Sequence, residues 1–194
     1  VLNKDDIPSS LAQCKALPHE EMSVFECLTG VFMERITALN LEIHGLAGKE
    51  ALNWSARVPE LEKLCRKQSG VDSVACWKEI IHAVIVKFNN DPQRVFSFCE
   101  TAPGEKETRE CIDHSIGIIA GGNNFDFGKN RAICDTRVKA FDFKERCYTG
   151  LVASTLSTIP TEIPAARAFC ASLEERYHAS CSNMINNTQR MRGD

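Results

Sequence analysis

The stretch CWKEIIHAVIVKFNNDPQRVFSFCETAPGEKETREC (residues 76–111) decides the fold, because it holds one full copy of a unit that recurs along the chain. Its apolar residues recur at helical spacing after Cys76, and the turn residues 89–92 (NNDP) then stop the helix. A second, shorter helix is expected from Pro92 through Cys99. Each unit is therefore predicted to be a helical hairpin.

The cysteines repeat this arrangement at regular intervals. They form five couples with internal separations of 13, 11, 12, 13 and 11 residues, and the steps between couples are 38, 23, 23 and 23 residues. In order they are Cys14, Cys27, Cys65, Cys76, Cys99, Cys111, Cys134, Cys147, Cys170 and Cys181. Three equal steps in succession indicate an internal repeat of about 35 residues.

Further copies of the hairpin follow the same pattern. One apolar stripe runs over residues 112–119 and is broken by residues 121–124 (GGNN), and another runs over residues 148–156. Residues 131–134 (RAIC) align with residues 167–170 (RAFC). The predicted fold is all-α, a right-handed stack of about five disulfide-stapled helical hairpins of α-solenoid type.

A single helical-repeat domain is expected over residues 1–194, with one irregular insertion near residues 45–59. Here 38 residues separate Cys27 from Cys65, which is 15 more than the usual 23. We expect a longer helix over about residues 22–44, and then a loop or short extra turn around Trp54. This insertion is a candidate contact region, because it breaks the repeat.

Gly30 and Gly150 each stand three residues after a cysteine. We expect the missing side chain to let two helices approach closely at these positions. A ligand contact is the alternative.

The number of cysteines distinguishes two pairing schemes. Pairing across the step of 23 residues would leave Cys14 and Cys181 alone at opposite ends of the stack. Pairing within each couple leaves no thiol over. The expected bridges are therefore Cys14–Cys27, Cys65–Cys76, Cys99–Cys111, Cys134–Cys147 and Cys170–Cys181.

Composition narrows the compartment and the partners. An even cysteine count with regular pairing favours an oxidising compartment, so a secreted, periplasmic or lumenal protein is expected. The sequons at Asn53 and Asn186 are compatible with a secretory route. Net charge is −3 and no lysine or arginine run is present, which argues against nucleic acid as a partner. The longest stretch free of charged residues, 147–161, is shorter than the roughly 20 residues of a membrane span.

Motifs of common enzymes are missing from the sequence. It has no phosphate-binding loop, no nucleophile elbow, no His-Glu-x-x-His and no calcium-binding loop. The glycine-rich residues 121–128 lack the dinucleotide-binding spacing and are expected to be a connector. No catalytic residue, cofactor or metal ion is therefore expected. The terminal residues 192–194 (RGD) form an integrin-type tripeptide, which is a weak signal at a chain end.

One metal-site alternative remains open on the residues. His114 lies three residues after Cys111, and His178 lies three residues before Cys181. If the cysteines were reduced, two such couples could form a tetrahedral zinc site.

A period near 35 with two cysteines per hairpin resembles the disulfide-stapled Sel1-like and TPR-like repeat proteins in architecture, and the resemblance implies a solenoid. Repeat architectures expose extended binding surfaces. The leading hypothesis is therefore a non-enzymatic, extracytoplasmic module that binds a protein or peptide or has a structural role. The alternatives are a thiol-rich helical protein that binds Cu or Zn, and an enzyme whose active-site residues are dispersed along the chain.

Overall fold

The structure is a computed structural model that describes residues 6–17, 21–37, 54–136, 138 and 142–192. These residues form eleven α-helices and one short 3₁₀ helix, Pro160–Glu162, and they contain no strand. The α-helices are α1 Ile7–Lys15, α2 Glu21–Thr37, α3 Trp54–Arg66, α4 Gly70–Glu79, α5 Ile81–Lys87, α6 Pro92–Cys99, α7 Glu105–Gly122, α8 Phe127–Cys134, α9 Phe143–Thr158, α10 Ile163–Ala171 and α11 Glu175–Arg192. The all-α prediction is confirmed.

The chain divides into two compact units, an N-terminal unit (residues 1–112) and a C-terminal unit (residues 113–194). In the N-terminal unit, α2 packs against α1 and α4, and α3 packs against α4 and α5. In the C-terminal unit, α9 packs against α8, α10 and α11, and α10 packs against α8 and α11. Each of these contacts joins a helix to the next described helix or to the one after it, as in a stack of hairpins. A single domain, a right-handed stack and a solenoid shape stay predictions.

The five disulfides are those expected from local pairing. Each bridge joins the last turns of one helix to the second turn of the next, with Cα atoms 5.3 to 5.6 Å apart. All ten cysteines lie among the described residues, and none of them is free. Nine are buried and Cys27 is partly exposed, so the sulfurs also fill the helix interfaces. Five such bridges indicate an oxidising environment.

A polar contact between helices occurs in both units. Arg66 Nη2 donates to the Thr101 carbonyl at 2.9 Å, and Arg131 Nη1 lies 3.4 Å from the Ser172 carbonyl. Both carbonyls stand two residues after a bridged cysteine, Cys99 or Cys170, where a helix has just ended. An arginine at such a helix end satisfies carbonyls that have no partner within the helix.

The apolar stripes form the core as predicted, with one break. Ile112, Ile116 and Ile119 are all buried, and so are the inward residues of α9. The helix expected after Cys76 is divided at Ile80 into α4 and α5. The Ala83 amide donates to the Ile80 carbonyl three residues back, and this tighter bond interrupts the regular helix.

The described end of the insertion is helical, contrary to its sequence pattern. Helix α2 ends at Thr37, and residues 38–53 lie outside the described residues. The prediction of a loop or short turn is wrong for residues 54–59, which belong to α3 although Pro59 lies inside that helix. Val58, Leu61 and Cys65 are buried at helical spacing, and their packing outweighs the hydrogen bond that Pro59 removes.

Close helix approach occurs at a different glycine from those expected. Among the described residues, no atom lies within 4 Å of a Cβ added at Gly30, and at Gly150 the nearest is Ile116 Cγ2, in ordinary contact at 3.8 Å. A Cβ at Gly117 of α7 would lie 2.9 Å from Ser154 Oγ of α9. The described part of the chain therefore does not show the close approach expected at Gly30 and Gly150, and it shows a tight contact between helices at Gly117.

None of the described helices combines the length and the apolar character needed to cross a membrane.

The Cys134–Cys147 bridge gives a direct stability prediction. The double variant Cys134→Ala/Cys147→Ala should lose about 3 kcal/mol of unfolding free energy, because a 13-residue separation in the unfolded chain is no longer closed. Urea unfolding followed by far-ultraviolet circular dichroism measures the loss. As a control, thiol titration of the denatured, unreduced wild type should find none. An unchanged unfolding free energy would contradict the assigned role of the bridge.

Candidate functional site

The C-terminal unit contains a groove of about 560 Å³ between α8 and α10. One wall is the turn before α8 together with the start of that helix, and the other is Ile159, Glu162 and one face of α10. The lining residues are Asn124, Phe125, Asp126, Phe127, Gly128, Arg131, Ile159, Glu162, Ala165, Ala168, Phe169 and Ser172. Three phenylalanines, small residues and a few charged groups therefore share one surface.

Packing between aromatic rings fixes the positions of the groove walls. Phe127 stacks on Phe169 with ring centroids 4.7 Å apart, and Tyr148 of α9 meets Phe169 edge-on at 6.0 Å. Tyr148 in turn packs edge-on against Tyr177 of α11 at 5.2 Å. Burial raises the pKa of Tyr148, with Asp135 adding to the effect, so its ring stays neutral near pH 7. The groove thus has a rigid aromatic wall built on four helices.

Phe125 has an unusual backbone conformation. Asn124 and Phe125 both lie in the left-handed region, with φ of 56° and 55°. This region costs most residues about 1–2 kcal/mol, and only glycine, asparagine and aspartate adopt it routinely. A bulky side chain there is an outlier. The Phe125 ring is therefore held at the groove at a conformational cost.

The same turn occurs 35 residues earlier with asparagines at both left-handed positions. Asn89 and Asn90 have φ of 52° and 59°. The Asn90 amide donates to the Ile85 carbonyl at 3.0 Å, and the Phe125 amide donates to the Ala120 carbonyl at 2.9 Å, which is the same bond one repeat later. The fold therefore requires the left-handed turn, but it does not require phenylalanine.

A second difference between the two copies makes room for the Phe125 ring. Val86 stands 35 residues before Gly121 and is 52% exposed. A Cβ at Gly121 would lie 3.4 Å from Phe125 Cζ, and the branched side chain of a valine would meet the ring. The later copy thus has Phe125 and Gly121 at the two positions where the earlier copy has Asn90 and Val86.

The groove is acidic at one end and basic at the other. Asp126 and Glu162 stand at the N-terminal ends of α8 and α10, and Arg131 and Ser172 lie toward the C-terminal ends. The ten residue-to-residue steps from Glu162 to Ser172 span about 15 Å at the helical rise. Among the described residues, no hydrogen bond or ion pair engages the half-buried Glu162 carboxylate.

The polar groups of the groove are largely used by the fold. The Ser172 hydroxyl donates to the Phe169 carbonyl at 2.7 Å, and Asp126 Oδ1 accepts from the Lys129 amide at 3.0 Å. A serine nucleophile would instead need a base within hydrogen-bond reach of its hydroxyl. The arrangement suits binding better than covalent chemistry.

The predicted metal couples offer no thiolate. Cys111 and Cys181 are both in bridges, and His178 Nε2 lies 2.9 Å from the Leu173 carbonyl. The thiolate ligands that a Cu or Zn store requires are thus engaged in bridges in this structure.

Other sequence-predicted positions fall outside the groove. Asn186 is exposed on α11, while Thr188 of its sequon is buried and donates to the Met184 carbonyl at 2.9 Å. Asn53, residues 45–53 and the last two residues of the terminal RGD lie outside the described residues. The expected connector over residues 121–128 includes the end of α7 and the start of α8, and it supplies one wall of the groove.

A buried acid–base pair stands in the N-terminal unit at the break between α4 and α5. Glu79 is 5% exposed, and burial raises its pKa to about 7, although the nearby Lys78 opposes the shift. Its Oε2 lies 3.7 Å from His82 Nε2, and burial lowers the pKa of His82. Both side chains are thus pushed toward their neutral forms.

Comparison with protein-family models, with curated proteins and with solved structures finds no match to this chain. The function is therefore inferred from the geometry of the groove.

Exchanging residues between the two equivalent turns should show whether Phe125 serves the stability of the fold or the groove. Phe125→Asn should keep or raise the unfolding free energy, because asparagine tolerates the left-handed region and offsets the lost ring packing. Asn90→Phe should lower it by about 1 kcal/mol. Urea unfolding of both variants checks the prediction, and a loss of several kcal/mol in Phe125→Asn would show that the ring serves mainly the core.

Glu79 predicts a pH-dependent stability. Its pKa is higher in the folded than in the unfolded chain, so its contribution is full below about pH 4.5 and is lost as the pH rises to about 7. Glu79→Gln should match the wild type near pH 4.5 and exceed it by roughly 1–3 kcal/mol above about pH 7. The lowered pKa of His82 changes the unfolding free energy in the opposite direction with pH. Because His82 is present in both Glu79→Gln and the wild type, its own effect cancels to first order when the two proteins are compared.

Unfolding free energies measured across this pH range test the prediction. The exposed Glu105→Gln is the matched control and should show no such trend. A pH-independent difference between Glu79→Gln and the wild type would contradict the raised pKa.

Proposed function

We propose that the protein is a non-enzymatic peptide-binding module of an extracytoplasmic compartment, whether secreted, periplasmic or lumenal. Its groove between α8 and α10 would hold an apolar segment of a partner protein. Support for the compartment comes from the five disulfides, since such bridges persist in oxidising environments. Support for binding comes from the composition and rigidity of the groove.

One observation carries the proposal. A turn that the repeat forms with asparagine at position 90 is formed with phenylalanine at position 125, at a conformational cost. Backbone strain of this kind clusters at ligand contacts, where a side chain is held for a purpose other than stability. The paired change from Val86 to Gly121 supports the same interpretation, because it gives the ring its place.

The rings of Phe125, Phe127 and Phe169 can exclude water from an apolar side chain of the partner. Burying one such side chain is favourable by about 1.5–3 kcal/mol. Aromatic residues in rigid, well-packed positions are also the groups that dominate binding energy at protein interfaces. Ala165 and Ala168 leave room above these rings.

A pair of equivalent alanines allows a sharp test of the groove. Ala168 and Ala132 are both exposed and stand two residues before Cys170 and Cys134, but Ala168 lines the groove and Ala132 does not. Ala168→Arg should weaken binding of peptides selected from a random displayed library on the wild-type protein by at least about tenfold, because the long side chain occupies the groove. Ala132→Arg should leave their affinity unchanged.

Fluorescence anisotropy with the labelled selected peptides gives the affinities, and circular dichroism confirms that both variants fold. Phe125→Asn should also weaken binding, and Asn90→Phe should not. If every selected peptide bound the wild type and Ala168→Arg equally well, the groove would not be the binding site and the proposed function would be wrong.

A further inference from the structure

The dimensions of the groove restrict the length of its occupant. The groove holds about 560 Å³ and is about 15 Å long, so it takes a short segment of chain. About five residues span this length at the rise of a polyproline II helix.

The walls of the groove disfavour an occupant that needs backbone partners. Both walls are largely helical, so most of their backbone groups already bond within a helix. Peptides that bind as an added β-strand require an exposed sheet edge, and the described residues contain no strand. A polyproline II segment keeps its backbone hydrated, so it requires neither free backbone groups in the walls nor a sheet edge.

The aromatic wall matches proline rings. Phe127 and Phe169 form a fixed stack, and Phe125 adds a third ring along the same groove. Grooves lined with aromatic residues are the recurring binding sites of proline-rich segments, whose preformed extended shape lowers the entropy lost on binding. Both the length and the surface of this groove therefore fit such a segment.

Charge sets the direction of the segment. The Glu162 carboxylate is half-buried at the same end of the groove as Asp126, and no ion pair within the described part of the chain neutralises it. At the other end, the Arg131 guanidinium contacts the carbonyl and hydroxyl oxygens of Ser172, just after the end of α10. A lysine or arginine of the partner would complement the acidic end.

Resting on the proposed function, we infer that the groove binds a proline-rich segment in the polyproline II conformation, with a basic residue of that segment against Glu162 and Asp126.

The displayed random library also tests this inference. Peptides that bind the wild type and lose binding to Ala168→Arg should be enriched in proline, with lysine or arginine near one end. Replacing the prolines of the strongest such peptide by alanine should weaken its binding by about tenfold, and so should replacing its basic residue by glutamine.

Glu162→Gln should weaken binding of the basic peptide by about fivefold to tenfold. It should leave the affinity of the glutamine-substituted peptide unchanged, because the substitution in the protein and the substitution in the peptide remove the same contact. Glu175→Gln, an exposed control outside the groove, should affect neither. Added salt should reduce the difference between the basic and glutamine forms.

The outcomes separate this inference from the proposed function. Groove-dependent peptides without proline or a basic residue, or basic peptides that are insensitive to Glu162→Gln, would overturn the inference and leave the peptide-binding function standing. If every selected peptide bound outside the groove, both the inference and the proposed function would be wrong.

Discussion

The bridge between the end of one helix and the second turn of the next is the constraint on which the rest of the structure depends. Many of the helices have fewer than the ~12–15 residues at which an isolated helix becomes marginally stable in water. A closed loop of 11 to 13 residues stabilises the fold by about 3 kcal/mol, which is a large share of a domain's margin of about 5–15 kcal/mol. With five such bridges, neighbouring helices are held together by covalent links as well as by packing, so the fold leaves freedom for a locally unfavourable surface residue.

The two left-handed turns show what that freedom permits. They share the backbone conformation and the bond to the carbonyl five residues back, but one carries Asn90 and the other Phe125. A cost of about 1–2 kcal/mol at Phe125 is affordable in a unit held by two bridges. Gly121 removes the steric conflict that a valine would cause. On the proposed function, this stapled repeat has turned one of its copies into a binding surface without a change of fold.

The regular cysteine spacing was enough to predict the bridges, because an even count and a fixed period leave only local pairing without a stranded thiol. Helical stripes such as Ile112, Ile116 and Ile119 predicted the core for the same reason: spacing determines which side of a helix is buried. The start of helix α3 does not follow from the sequence pattern, because the pattern around Trp54 indicates a loop, whereas the buried packing of Val58, Leu61 and Cys65 holds the helix together. The groove was missed because its walls lie about 35 residues apart in the chain. Aligning Phe125 with Asn90 by the repeat period would have revealed the unusual turn.

The entropy of the occupant is the reason for proposing a stiff segment in this groove. Fixing the backbone of one flexible residue costs about 1–2 kcal/mol, so about five ordered residues would cost roughly 5–10 kcal/mol. One or two apolar side chains on the aromatic wall return about 1.5–3 kcal/mol each, which does not offset that cost. A proline-rich segment is already extended before it binds and loses less freedom. Among the described residues the groove offers rings, the unengaged Glu162 carboxylate and few free backbone partners, so under the proposed function its affinity would depend on a ligand that arrives preorganised.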